Sequence, residues 1–99
     1  MLFYITWSIP AESRIMVANM FGKMTPDEDA KDAGPNIQII GRWSELNGAN
    51  GHCIVECSDS SELYKWGLNW SPIADLKLTP VVDDATARAC IQTKPYFEK

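Results

Sequence analysis

The chain has 99 residues, 45% of them hydrophobic and 22% charged, which is enough apolar material for one core and too much for a disordered chain. A net charge of −4 excludes the broad basic surface that binding to a phosphate backbone requires. Much of the acidic excess sits in residues 27–32, where Asp27, Glu28, Asp29 and Asp32 face only Lys31; elsewhere acids and bases nearly balance.

Residues 2–9 alternate, with Phe3, Ile5, Trp7 and Ile9 on one side and Tyr4, Thr6 and Ser8 on the other, the pattern of a half-buried strand. This apolar start is too short to span a bilayer and lacks the basic opening and small-residue cleavage site of a signal peptide. Pro10 ends the strand and suits the first turn of a helix. Val17, Met20, Phe21 and Met24 then recur at helical spacing, up to Pro26. Residues 25–36 read as an acidic loop containing Pro and Gly, with solvation as its simplest role.

Residues 37–46 form a second strand with Ile37, Ile39 and Trp43 on one side, and Gly41 inside it marks a bulge or a close approach. The run Asn47-Gly48-Ala49-Asn50-Gly51 is a hairpin turn. Residues 52–57 form the third strand, with Cys53, Val55 and Cys57 on one side. Asp59 and Glu62 mark a helix start, and Leu63, Trp66, Gly67 and Trp70 follow at i, i+3, i+4 and i+7 before Ser71-Pro72. Residues 74–82 form the fourth strand, with Leu76 and Leu78 on one side, and Pro80 puts it at an edge or near its end. Asp83 or Asp84 caps a short last helix reaching Gln92.

This order predicts a single α+β domain over residues 1–99. It is a ferredoxin-like βαββαβ unit: a four-stranded antiparallel sheet, two helices on one face, and a short C-terminal helix. The helix-covered face would hold the apolar stripes and all four tryptophans, Trp7, Trp43, Trp66 and Trp70. The other face would carry Tyr4, Thr6, Gln38, Ile40, Arg42, His52, Ile54, Glu56, Lys77 and Thr79. That mixture is too apolar to be simply wet and too polar for a core, and a symmetric partner packed on it would resolve the conflict. Cys53 and Cys57 stand four apart in a strand, roughly 13 Å between Cα atoms, beyond disulfide reach. With Cys90 alone, the chain reads as a reduced, cytosolic protein.

The stretch from Trp43 to Val82 resembles a family of small bacterial proteins without assigned function, in the dimeric α+β barrel superfamily. The resemblance rests on Glu56, Glu62-Leu63, the Trp66-x-x-x-Trp70 helix, and the run Asp75-Leu76-Lys77-Leu78-Thr79-Pro80-Val81-Val82. It implies the ferredoxin-like fold and a homodimer. The superfamily includes muconolactone isomerase, antibiotic-biosynthesis monooxygenases and haem-degrading enzymes, whose chemistry lies in a cleft between helices and sheet. No catalytic residue carries over from it.

Two groups are candidates for chemistry. Trp7, Trp43, Trp66 and Trp70 either fill the core or line a slot for a small apolar ligand, each indole N–H needing a partner where buried. Tyr4, Arg42, His52 and Glu56 on the opposite face either supply a general base and an oxyanion partner or form a dimer-interface network. His52 has no second His or suitable Cys pair at ligand spacing, so no metal site is expected. It also points away from a helix-side cleft, which argues against a haem ligand. The third strand lacks the stacking aromatics of an RNA-recognition motif. There is no phosphate-cradling Gly-rich loop and no Gly-x-Ser-x-Gly elbow. The sequence therefore predicts a small homodimeric ligand-binding or protein-interaction domain, dimerising through the sheet face, without cofactor, membrane or nucleic-acid partner. The alternative is a cofactor-independent monooxygenase or isomerase acting on an apolar ring compound in a tryptophan-lined cleft.

Overall fold

The computed structural model describes residues 1–99. Its strands are β1 (Leu2–Ser8), β2 (Ile37–Ser44), β3 (Asn50–Cys57) and β4 (Asp75–Val81). Its helices are α1 (Arg14–Lys23), entered through a 3-10 turn at Ala11–Ser13, α2 (Pro26–Ala33), α3 (Ser60–Trp70) and α4 (Asp84–Ile91). The sheet is antiparallel in the order β2-β3-β1-β4, the ferredoxin-like arrangement. Pro80 falls on the edge strand β4, opposite Phe3, where a missing N–H is tolerated.

The core lies under the central strands. Phe3 stands opposite Val55 and Ile5 opposite Cys53 across the β1–β3 ladder. These four pack with Cys57, Ile37 and Leu63 into one buried cluster. Ala33 joins the same cluster from α2. All three cysteines are free thiols, two buried in the sheet and Cys90 exposed. No helix is long and apolar enough to cross a membrane.

The acidic segment is a helix, not a loop. The Thr25 hydroxyl accepts from the Glu28 backbone N–H at 3.2 Å, and the Glu28 carboxylate accepts from the Thr25 N–H at 3.3 Å. That reciprocal box, with Pro26 in the first turn and Asp27, Glu28 and Asp29 against the positive helix end, offsets the poor apolar content of the segment. Gly34, at φ 98°, ends it. Three helices therefore cover the sheet, not two. At α3 the cap is simpler than the sequence suggested. Asp59 accepts from the Ser61 hydroxyl and N–H, which holds its carboxyl below the usual range, while Glu62 turns to Lys65 at 3.4 Å.

The second correction concerns β2. Ile39 faces Val55, but the next β3 residue, Ile54, faces Gly41, so Ile40 is an extra residue bulged out of the ladder. Side chains alternate with period two, so one inserted residue inverts every side chain after it. Arg42 thus pairs with Cys53 on the helix-covered face, and Trp43 pairs with His52 on the open face. Both were expected on the opposite sides. The Trp43 ring folds back over Gly41, where any Cβ would overlap it.

Helix α1 is only lightly seated. Val17 is its one buried residue, while Met20 and Phe21, expected in the core, are nearly half exposed. After Val81 almost nothing is covered: α4 has no buried residue and Val82, Ile91 and Tyr96 are exposed. The Cα radius of gyration is 16.4 Å, against about 13 Å for a compact domain of this size. The C-terminal arm, residues 82–99, contributes no residue to the buried core.

A Cβ at Gly51 would overlap the Trp7 ring and approach the Trp43 carbonyl at 2.8 Å, a backbone atom that cannot swing aside. Gly51→Ala should therefore cost about 1–3 kcal/mol by urea denaturation, as overpacking does. Gly41→Ala should cost clearly less, because only the half-exposed Trp43 ring must move; equal losses would contradict this packing.

Candidate functional site

The three covering helices do not close on the sheet. Between them lies a cavity of about 340 Å³, toward the end of the sheet where β1 finishes and β4 begins. Its floor includes Ile5, Trp7 and Leu76; α3 supplies Trp66 and Trp70 as a wall. Helix α1 contributes Val17 and Phe21, α2 contributes Asp29 and Asp32, and β2 contributes Arg42.

Local sequence explains how these groups meet. Trp66 and Trp70 are one helical turn apart, so both indole N–H groups point the same way from α3. Asp29 and Asp32 are likewise successive on one face of α2. One oxygen of Asp32 accepts both indoles, from Trp66 Nε1 at 3.0 Å and Trp70 Nε1 at 2.7 Å. Its other oxygen accepts from Asn69 Nδ2 at 3.1 Å. Asp29 receives Arg42 in a two-bond fork at 3.1 and 2.6 Å. The Arg42 guanidinium carbon sits 5.0 Å from the centre of the Phe21 ring, a cation–π contact that brings in α1. One guanidinium thus ties β2 to α1 and α2, and one carboxylate orients both indoles of the α3 wall.

Cys53 also borders this space. Burial pushes its thiol up to about 11, with Arg42 pulling weakly in the other direction. The thiol is protonated at neutral pH and is no nucleophile.

The two groups expected from the sequence are each divided by the bulge. Trp7, Trp66 and Trp70 share the cavity, whereas Trp43 is 54% exposed on the open face. On that face Trp43 and Tyr4 flank His52, with ring centroids 5.6 and 6.0 Å from it. Glu56 lies further along β3, opposite Leu2, and pairs with the Met1 amino group at 2.6 Å. Arg42 is on the other side of the sheet. The open face therefore brings Tyr4 and His52 together but does not assemble the four-residue group. Sequence reasoning missed Asp29 and Asp32, although Thr25-Pro26-Asp27-Glu28 carried the capping signal that would have turned the loop into a helix.

Fold and cavity together define a ferredoxin-like α+β domain with a helix-roofed, tryptophan-lined cleft. The chain belongs to the family described as domain of unknown function DUF3303, whose pattern matches residues 1–95. No curated protein matches it. Among solved structures it is similar to the crystal structure of an antibiotic biosynthesis monooxygenase, at 14% identity and a TM-score of 0.52, over 84% of this chain and 100% of that one. It is also similar to an uncharacterized NIPSNAP domain protein from Burkholderia xenovorans, at 13% identity and a TM-score of 0.46, over 85% and 97%. The first of these likenesses speaks to the fold alone.

Asp32→Ala should leave two indoles without their acceptor and lower stability by about 2 kcal/mol, measured by urea denaturation followed by circular dichroism. Asp32→Asn, which keeps an acceptor, should lose less. If the Ala variant were as stable as the parent, the indoles would not depend on this carboxylate.

Proposed function

We propose that the protein binds a small, largely apolar ring compound in the cleft under α1, α2 and α3, and works as a homodimer joined through the open sheet face. The observation that carries the ligand reading is the cavity of about 340 Å³ walled by Trp7, Trp66 and Trp70. A packed core leaves few voids larger than a water molecule, and this volume lies within the range of small-molecule sites. Flat indoles on several sides suit a ring.

The open face supports the dimer. Trp43 and Ile40 are more than half exposed there, beside Tyr4 and a partly covered Ile54. Apolar groups gathered on one sheet face favour a second surface over water. The exposed C-terminal arm offers further apolar area at Val82, Ile91 and Tyr96. Free thiols are in keeping with a cytosolic, single-domain protein.

A second reading is cofactor-independent oxygenation or isomerisation of the bound ring compound. Its support is the charged pair Asp29–Arg42 and the carboxylate of Asp32 beside the cavity, together with a fold similar to that of a monooxygenase. Binding without turnover is preferred, because these groups already satisfy one another or the indoles.

Ala18 lines the cavity from α1 and is itself exposed, so Ala18→Trp fills the space without removing a core contact. Native mass spectrometry of freshly purified protein should show a retained small molecule that this variant lacks, and apolar dyes should lose at least about tenfold in affinity. Dye binding unaffected by the filled cavity would sink the ligand reading. For the dimer, Ile54 sits mid-face between Tyr4 and Gly41. Ile54→Asp should give a monomer by sedimentation, and an unchanged mass would exclude this face as the interface.

A further inference from the structure

Four charged side chains border the cavity: Arg14, Asp29, Asp32 and Arg42. Their hydrogen-bonding capacity is not equally spent. Asp29 and Arg42 occupy each other through two bonds. Both oxygens of Asp32 are taken by Trp66, Trp70 and Asn69. Arg14 is different. Its Nε donates to the Ile9 carbonyl at 3.0 Å and it takes part in no salt bridge, so both terminal nitrogens of its fork are without a partner. Glu12, two residues away, does not pair with it.

The position of Arg14 is fixed better than that of an ordinary surface arginine. It opens α1, and the Nε bond ties its guanidinium to Ile9. Ile9 is held in turn by its N–H on the Ala49 carbonyl at 2.7 Å, so this end of the cleft abuts the turn between β2 and β3. Ser44 and Asn50 border the cavity there. The Ser44 hydroxyl makes no hydrogen bond and the Asn50 side-chain NH2 donates none, so two further neutral donors border the same cavity.

Charge is thus separated along the cleft. The cluster of Asp29, Arg42 and Asp32 sums to one negative charge, and Arg14 supplies one positive charge on a different element. An anionic oxygen is repelled from the first and attracted to the second. We infer that Arg14 is the ligand anchor, and that the ligand is an apolar ring compound carrying one acidic group, its anionic oxygen on the Arg14 fork and its ring against Trp66 and Trp70. This rests on the cleft being a ligand site, and names the chemistry that such a ligand carries. A planar guanidinium with two free nitrogens matches a carboxylate or an ionised enol better than an amine or a neutral ring.

The test uses three naphthalenes of matched size: 2-naphthoate, 2-naphthylmethanol and 2-naphthylmethylammonium, each titrated calorimetrically into the full-length protein at low salt. The carboxylate should bind about tenfold more tightly than the alcohol, the gain of one charge-assisted contact, and the ammonium least. Arg14→Gln should bring the ratio of carboxylate to alcohol affinity near one, and Arg14→Lys should keep part of it. Arg88→Gln removes the same charge from the exposed helix α4 and should leave the ratio where it was. A ratio that survives Arg14→Gln, one that falls equally in Arg88→Gln, or an ammonium that binds tightest, overturns the anchor while leaving the ligand site standing. If none of the three binds, the ligand-site reading falls and the anchor with it.

Discussion

Two carboxylates on one face of a short helix hold the upper part of this protein together. Asp32 fixes α3 by its indoles and Asp29 fixes β2 by its arginine, while the arginine in turn receives Phe21 from α1. Helix α2 buries only Ala33 by way of apolar packing. Its attachment is therefore mainly polar, made by charge-assisted bonds in a partly dry setting where each is worth more than in water. Helices joined to a sheet through interdigitated side chains would close the space between them. Helices joined by a few directed bonds stand off from it, and the cavity is the result.

The molecule consequently has two halves of different character. At one end Phe3, Val55, Ile37, Cys57, Leu63 and Ala33 form a dense apolar cluster that supplies most of the hydrophobic stabilisation. At the other end Trp7, Trp66 and Trp70 are only partly covered, and α1 rests on Val17 and the Phe21–Arg42 contact. Local opening should concentrate in α4, which buries nothing, and then in α1, which buries only Val17, while β1 and β3 hold their hydrogen bonds to the limit of global unfolding. A ligand entering beneath α1 would meet a helix held to the sheet by one buried side chain.

Much of this was legible in the sequence where the signal is local. The alternation in β1 and β3, the Asp59 and Asp83 caps, and Pro80 at the sheet edge all report on neighbours a few residues away, and the elements lie where those residues put them. The acidic segment misled because its composition outweighed its spacing: four acids suggest solvation, yet Thr25 and Glu28 box the start of a helix whose inner face makes the site. Trp43 and Arg42 misled for a non-local reason. Gly41 indicated a bulge, but whether side-chain phase inverts depends on which residue the partner strand skips, and β3 decides that. Nothing in the sequence distinguishes Arg14 from other arginines, because its free fork is apparent only once the partners of Asp29 and Asp32 are known.

The bulge at Ile40 has a further effect on how the two surfaces are related. Arg42 in the cleft and Trp43 on the outer face are consecutive residues joined by one planar peptide. A backbone rotation at this peptide would carry the stems of both side chains with it. Cleft and outer face thus meet across a single planar peptide. A one-residue slip that absorbed the bulge, setting Ile40 opposite Ile54, would send the cation outward and the indole inward in a single step, altering both surfaces at once.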